Sequence, residues 1–335
     1  MKLKRIDANG ALQGFVLVKT CDLKTTKTGA HYLDLTISDG ETDLVAKIWD
    51  FRGTPQDQPQ PNTLLMVRGT LGMYNGQPQF KIEKFRFRQP SDDVRIEDYV
   101  PSAALPGEKM WEALIATADT FADEELKNLA KTVLTRYKGQ ILTLPAASRL
   151  HHAVLGGLLM HTLSICRLAE AVATLYPSVD RDLLLCGAML HDIAKTEEFR
   201  LAPTGLVDGY SVEGTLVGHL VAGAMLVRSV GEEIGVSRET LTLVEHMLIS
   251  HHGIPEYGAA VRPLFLEAEL LSQLDTLDAN VYEIEGALKG MEKGCFSNKM
   301  WALEDRKFYH HGRKRVDTVV DFDWRIERGQ REETD

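Results

Sequence analysis

The sequence has few cysteines and none in a C-x-x-C pair: Cys21, Cys166, Cys186 and Cys295 stand far apart. That argues against a zinc ribbon and fits reduced thiols in a cytoplasmic protein. No apolar run reaches the roughly 18 residues of a membrane span, so no membrane partner is expected. The first residues, Met1 to Asp7, are basic but lack the apolar stretch of a signal peptide. Internal repeats and low-complexity tracts are missing as well. So is net positive charge: the formal charge is −10, which taken alone argues against a nucleic-acid partner.

The charge is uneven, however. Residues 1–90 hold 13 Lys and Arg against 9 Asp and Glu, a net of +4, which leaves −14 for the remainder. A chain of 335 residues is long for one domain and comfortable for two. The expected organisation is a mildly basic small domain at 1–90, a Pro- and acid-bearing linker at 91–109, an acidic large domain at 110–315, and a C-terminal tail at 316–335. The polar end of that tail, from Glu327, is expected to be disordered.

The first ninety residues read as strands. Ala11–Lys19, His31–Ser38, Leu44–Trp49, Thr63–Leu71 and Pro78–Arg86 are β-rich or alternate with period two. Turn signals stand at Asp39-Gly40 and Asn75-Gly76. Five short strands in this length suggest an all-β barrel of OB type, a fold that binds oligonucleotides. Aromatic and basic residues are interleaved along it, as single-strand binding by stacking and phosphate contact requires. Phe15, Trp49 and Phe85 are expected inside. Tyr32, Tyr74 and Lys81 are the candidate nucleic-acid contacts.

From residue 110 the period turns helical. Helices are expected over Met110–Ala122, Glu124–Gly139, Gly157–Leu175, Asp180–Lys195, Val212–Ile234, Arg238–Ser250 and Leu264–Met291, with no strand-like alternation. The fold class is therefore multi-domain: a small all-β barrel followed by an all-α bundle.

Ten of the eleven histidines lie between residues 151 and 311. His161, His191-Asp192, His219, His251-His252 and Asp275 follow one another at 23 to 32 residues, about one helix plus a loop. Successive antiparallel helices can thus each present a ligand to one centre. Imidazoles and carboxylates suit Mn, Fe, Co, Ni or Zn, and carboxylates also accept Mg. His191 and Asp192 point about 100° apart on a helix, so Asp192 can bridge two ions while His191 serves one. Two ions about 3.5–4 Å apart can activate water and clamp a phosphate. Lys195, in helical phase with both, can neutralise a phosphate oxygen. Asp192 and Lys195 are the candidate catalytic residues. His246 is an alternative to His251, and Asp278 to Asp275. His151 and His152 either contact substrate or cap the first ligand helix. His310-His311 beside Arg313-Lys314-Arg315 reads as a solvated charge run or a basic tail touching RNA.

The segments Gly156–Leu163, Leu190–Lys195 and Leu274–Ala279 resemble the signature of the HD-domain metal-dependent phosphohydrolase superfamily, and His219 with His251-His252-Gly253 resembles the extra ligands of its two-metal members. The resemblance implies that His161, His191, Asp192 and Asp275 hold one metal. It implies Asp192, His219, His251 and His252 for the second. The barrel plus HD arrangement, with His151-His152-Ala153, Cys295-Phe296-Ser297 and Trp301–Arg306, resembles the YhaM family of 3′-to-5′ exoribonucleases. That family implies manganese-dependent removal of nucleotides from the 3′ end of single-stranded RNA, and of single-stranded DNA. One departure is Met160, where the family pattern has Glu before the first ligand histidine. Two other readings stay open at this point: a phosphohydrolase or phosphodiesterase for free or cyclic nucleotides, and a non-catalytic single-strand-binding module. Assembly as a homo-oligomer is compatible with the sequence.

Overall fold

In the computed structural model, residues 10–40, 42–148, 152–314 and 316 are described. His151 and nearly all of the C-terminal tail lie outside them.

Five strands build the first domain: β1 (Ala11–Thr25), β2 (His31–Ser38), β3 (Asp43–Ile48), β4 (Thr63–Tyr74) and β5 (Gln77–Phe87). They close into a barrel in the order β1-β2-β3-β5-β4. β3 and β5 run parallel, with Lys47 opposite Lys81, and the other pairs are antiparallel. This is the OB arrangement. Alternation sets the inside: Leu33, Leu35 and Ile37 of β2, Leu44, Ala46 and Ile48 of β3, and Phe80 and Ile82 of β5 fill the core. The same alternation turns Trp49 outward, where it is 42% exposed, against the expectation that it is core. Phe15 and Phe85 are half-buried.

The second domain is helical: α1 (Gly107–Asp119), α2 (Glu124–Arg136), α3 (Lys138–Ile141), α4 (Gly157–Leu175) and α5 (Arg181–Leu190) come first. A short α6 (Lys195–Glu198) leads into a hairpin of β6 (Phe199–Leu201) and β7 (Val207–Tyr210). Then follow α7 (Val212–Leu216), α8 (Gly218–Ile234), α9 (Arg238–Ser250) and α10 (Leu266–Leu288). Caps set the starts: the Asp123, Asp180, Ser211 and Ser237 side chains each accept from a backbone N–H in the first turn. One apolar cluster runs through α1, α2, α4, α5, α8, α9 and α10.

The β6–β7 hairpin departs from the expected absence of strands; at three and four residues it is too short to show a period. The expected helix Asp180–Lys195 ends at Leu190, because Ile193 N donates to Leu190 O and Lys195 N to Asp192 O, tightening the chain into three-residue turns. The expected helix Val212–Ile234 is broken before Gly218, whose φ of +74° suits glycine. α1 starts at Gly107, inside the expected linker. By length and composition alone α4 is apolar and long enough to cross a membrane. In the fold it is a core helix, packed on α1, α5 and α10.

The barrel rests on the helical domain. Leu17 and Leu64 form a cluster with Val100, Leu155 and Leu206. Asn62 Nδ2 donates to Val207 O at 3.3 Å, and Thr204 Oγ1 donates to Asn62 O at 2.7 Å.

Candidate metal centre

The centre forms where α4, the turn after α5, the start of α8, the end of α9 and the middle of α10 converge. His161 is the fifth residue of α4 and wholly buried. His191 caps α5 and Asp192 follows it in the turn, both buried. His219 opens α8, His251 caps α9, and Asp275 lies on α10.

Asp192 stands in the middle, with its oxygens facing different partners. Oδ2 lies 3.3 Å from His191 Nε2, 3.8 Å from His161 Nε2 and 2.7 Å from Lys195 Nζ. Oδ1 lies 3.3 Å from His219 Nε2 and 3.7 Å from His251 Nε2. Asp275 Oδ1 meets His161 Nε2 at 3.0 Å. Burial alone would raise the Asp192 pKa, but Lys195 and His191 outweigh it and hold the carboxyl well below the usual carboxylate range. Asp275 is also held far below that range, where its hydrogen bond to His161 outweighs burial.

The imidazoles are oriented from behind. His191 Nδ1 donates to Ala188 O at 2.9 Å, His251 Nδ1 to Leu248 O at 2.8 Å, and His252 Nδ1 to Tyr257 O at 2.7 Å. A carbonyl oxygen only accepts, so each Nδ1 carries a proton, which leaves Nε2 as the atom that can offer a lone pair. Carboxylates do the same for two more. His219 Nδ1 donates to Glu198 Oε1 at 2.9 Å, and His161 Nδ1 to Asp278 Oδ2 at 2.8 Å. Partners of this kind fix the tautomer of metal-ligating histidines. His161 and His191 bring their Nε2 atoms within 3.3 Å of one another. Among the described residues, Asp192 Oδ1, His219 Nε2 and His251 Nε2 are buried with no hydrogen-bond partner. Buried lone pairs aimed at each other and otherwise unsatisfied are what a bound cation resolves. Among the described residues three groups lie close enough to share an ion: His161, His191 and Asp192; His219, His251 and His252; and His152, His161 and Asp278. The donor set fits divalent metal.

Without metal, burial opposes charge on His161, but the hydrogen bonds to Asp275 and Asp278 prevail and raise its pKa to about 10. Burial pushes His251 and His252 below the ordinary histidine value.

The sequence candidates divide clearly. His161, His191, Asp192, His219, His251, His252, Asp275 and Lys195 come together. His246 does not: its Nε2 accepts from Leu264 N at 3.0 Å, and its ring packs on Phe265 at 5.2 Å. Asp278 lies behind His161 rather than beside Asp275. His152, expected to contact substrate or cap α4, does not cap it. It is fully buried, its Nε2 meets Asp278 at 2.8 Å, its ring lies 4.0 Å from Tyr282, and the residue before α4 is Gly156. The His152 carbonyl sits so close to Gly157 that a Cβ there would be 1.9 Å away, so only glycine lets the two meet. Met160 packs into the apolar cluster, turned from the centre. Glu198 was missed by the sequence reading; its signal was only a buried acid one turn after Lys195.

On the barrel, Tyr32 is half-buried beneath Trp49, with ring centroids 4.8 Å apart, and Lys47 Nζ lies 4.9 Å from the Tyr32 ring. Tyr74 is exposed at the β4–β5 turn and Lys81 is exposed on β5. Trp49 and Lys47 are additions to the expected set, both turned outward by strand alternation.

Residues 158–280 match the HD domain family. The chain is 31% identical to the 3′-5′ exoribonuclease YhaM of Bacillus licheniformis over 88% of its length and 93% of that protein. It is 31% identical to the 3′-5′ exoribonuclease YhaM of Bacillus subtilis, with the same coverage of each chain. A solved second OB-fold domain of replication protein A from Methanococcus maripaludis matches 28% of this chain and 98% of that domain at 10% identity. Its TM-score of 0.22 adds no weight to the strand order already described.

Proposed function

This chain belongs to the YhaM family of 3′-5′ exoribonucleases, and on that premise we propose that it removes nucleotides one at a time from the 3′ end of single-stranded RNA. Single-stranded DNA is the second substrate, and manganese is the metal. The observation that carries the reading is the parting of Asp192: one oxygen faces His161, His191 and Lys195, the other faces His219 and His251.

His161, His191, Asp192 and Asp275 would hold one ion. Asp192, His219, His251 and His252 would hold the second. When bound, the pair supplies Lewis acidity that activates water and offsets charge on the reacting phosphate. The protein groups do the remainder. Glu198 and Asp278 keep His219 and His161 in the tautomer that offers Nε2. Lys195 is buried against Asp192 and holds a fixed cation beside the place where phosphate charge grows. The barrel supplies the grip: Trp49 and Tyr32 give a stacking face, and Lys81, exposed on β5, serves the phosphates.

The test is release of label from 3′-labelled single-stranded RNA with Mn²⁺. The intact chain is expected to release mononucleotides from the 3′ end first, and the Asp192→Ala variant to release none. Equal release by both chains overturns the assignment of the site, and first release from a 5′ label overturns the polarity.

A further inference from the structure

The stretch after α10 is the part of the chain that neither the metal centre nor the barrel accounts for. It folds back on itself: Gly294 N donates to His310 O, Ser297 N to Phe308 O and Met300 N to Arg306 O. Glu304 and Asp305 make the tip, both with φ near +57°. Leu303 and Ser297 anchor it inward. Its outer side is aromatic. Trp301 is 73% exposed, Phe296 is 63% exposed, and Phe296 packs on Tyr309 with ring centroids 5.1 Å apart. A soluble surface does not ordinarily leave three large rings in water so close in sequence.

The charge of this stretch is opposite to that of its domain. Residues 91–288 carry 14 Lys and Arg against 29 Asp and Glu, whereas residues 289–314 carry seven against three. Lys293, Lys299, Lys307, Arg313 and Lys314 are all exposed, and among the described residues none has a carboxylate partner. Beside them opens a cavity of about 600 Å³, lined by Lys289, Lys293, His310, Arg313 and Lys314. His310 Nδ1 is buried there with no hydrogen-bond partner among the described residues.

Flat exposed rings interleaved with unpaired cations suit a polymer with a planar base and one negative charge per unit. From these observations we infer that the fold-back at 289–314 is a second single-strand-binding surface, which holds RNA upstream of the end being cut. A purely electrostatic role does not explain Trp301, Phe296 and Tyr309, and a purely apolar partner does not explain five exposed cations that have no carboxylate partner among the described residues. The surface begins where α10 ends, 13 residues beyond Asp275, or about 20 Å along the helix axis. A strand must therefore extend several nucleotides from the centre before it touches this surface. The inference rests on the exoribonuclease reading above.

The experiment uses the full chain and two variants, Trp301→Ala and the set Lys293→Gln, Lys307→Gln, Arg313→Gln, Lys314→Gln. Binding of labelled RNA is read by fluorescence anisotropy with EDTA present, for strands of roughly 20 and roughly 4 nucleotides. Hydrolysis of a small aryl phosphodiester with Mn²⁺ and the molar mass in solution are read alongside. Each variant is expected to bind the long strand about tenfold more weakly, with the short strand and the small diester unchanged. The four-residue set should also flatten the salt dependence by about three units in log–log slope. Long-strand affinity equal to that of the intact chain overturns the inference. So does loss confined to the molar mass, which would make this face a contact between copies. An intact chain that hydrolyses the small diester but degrades no RNA defeats the exoribonuclease reading itself. An intact chain that degrades RNA while both variants bind normally defeats only the second surface.

Discussion

Asp278 accepts a hydrogen bond from Nδ1 of His161 at 2.8 Å, while Asp275 meets Nε2 of the same ring at 3.0 Å. Two acids one turn apart on α10 thus sit on opposite edges of one imidazole. Asp275 faces the centre. Asp278 stands behind it, shared with His152.

That division predicts different losses. Asp278→Ala frees the His161 ring and should weaken metal binding or activity about 10–100-fold, as removal of such orienting partners does. Asp275→Ala removes a proposed ligand and should abolish turnover at any metal concentration reached. Calorimetric metal titration beside the nuclease assay separates the two. Recovery of Asp278→Ala by excess metal, with no recovery of Asp275→Ala, is the expected pattern.

Lys195 touches Asp192 Oδ2 at 2.7 Å but is not placed among the metal ligands. Lys195→Met should therefore lower kcat about 10²–10³-fold, the usual loss on deleting one charge-stabilising donor. Metal affinity should stay within a few-fold. A change in metal affinity that accounts for the whole loss of rate would show that Lys195 acts only by holding Asp192.

The metal-free chain should be most stable near pH 6.5 as far as this cluster is concerned. His161 has its pKa raised from 6.5 to about 10, so its contribution is full below 6.5 and fades as pH rises toward 10. His152, His251 and His252 have theirs lowered, chiefly by burial. Their contribution is full above 6.5 and fades as pH falls below it. Thermal melts in EDTA across pH 5 to 10 should show Tm falling on both sides. Saturating Mn²⁺ should remove the alkaline fall, because a liganded His161 is neutral already, and binding near neutral pH should release protons. A flat Tm above pH 6.5 in EDTA would contradict the raised His161.

Trp49 is the barrel residue with most to lose. Trp49→Ala should weaken single-stranded RNA binding by about 1–3 kcal/mol while leaving hydrolysis of a small phosphodiester unchanged. Phe80→Ala, a wholly buried ring, should instead destabilise the barrel by about 3–5 kcal/mol. Anisotropy and thermal melting distinguish a lost contact from a lost core.

The histidine and aspartate ladder was legible because residue type and helix-length spacing act jointly, and no single member would have sufficed. What stayed illegible depended on backbone detail below the period of a helix. The tightening at 191–195 is set by the Ile193–Leu190 and Lys195–Asp192 backbone hydrogen bonds, and spacing alone treats it as one more helical turn. Asp278 and Asp275 share a face, so only the position of His161 tells ligand from support. Glu198 reaches His219 across the β6–β7 hairpin and α7, a separation that no local pattern encodes. Trp49 is expected inside only because a small barrel needs large side chains for its core. The alternation Leu44, Ala46, Ile48 inward already puts residue 49 outside.

The seam between the domains has a consequence for the products. Asn62 is bonded to the hairpin that follows Glu198 and precedes α7, and Glu198 holds His219, so the barrel is seated on the frame that carries His219. Grip and blade are then parts of one ruler rather than two tools on a string. A strand shorter than that ruler can be held at one end only. Degradation should therefore slow abruptly at a fixed remnant length, and that length is written in the packing of Leu17 and Leu64 against Val100, Leu155 and Leu206.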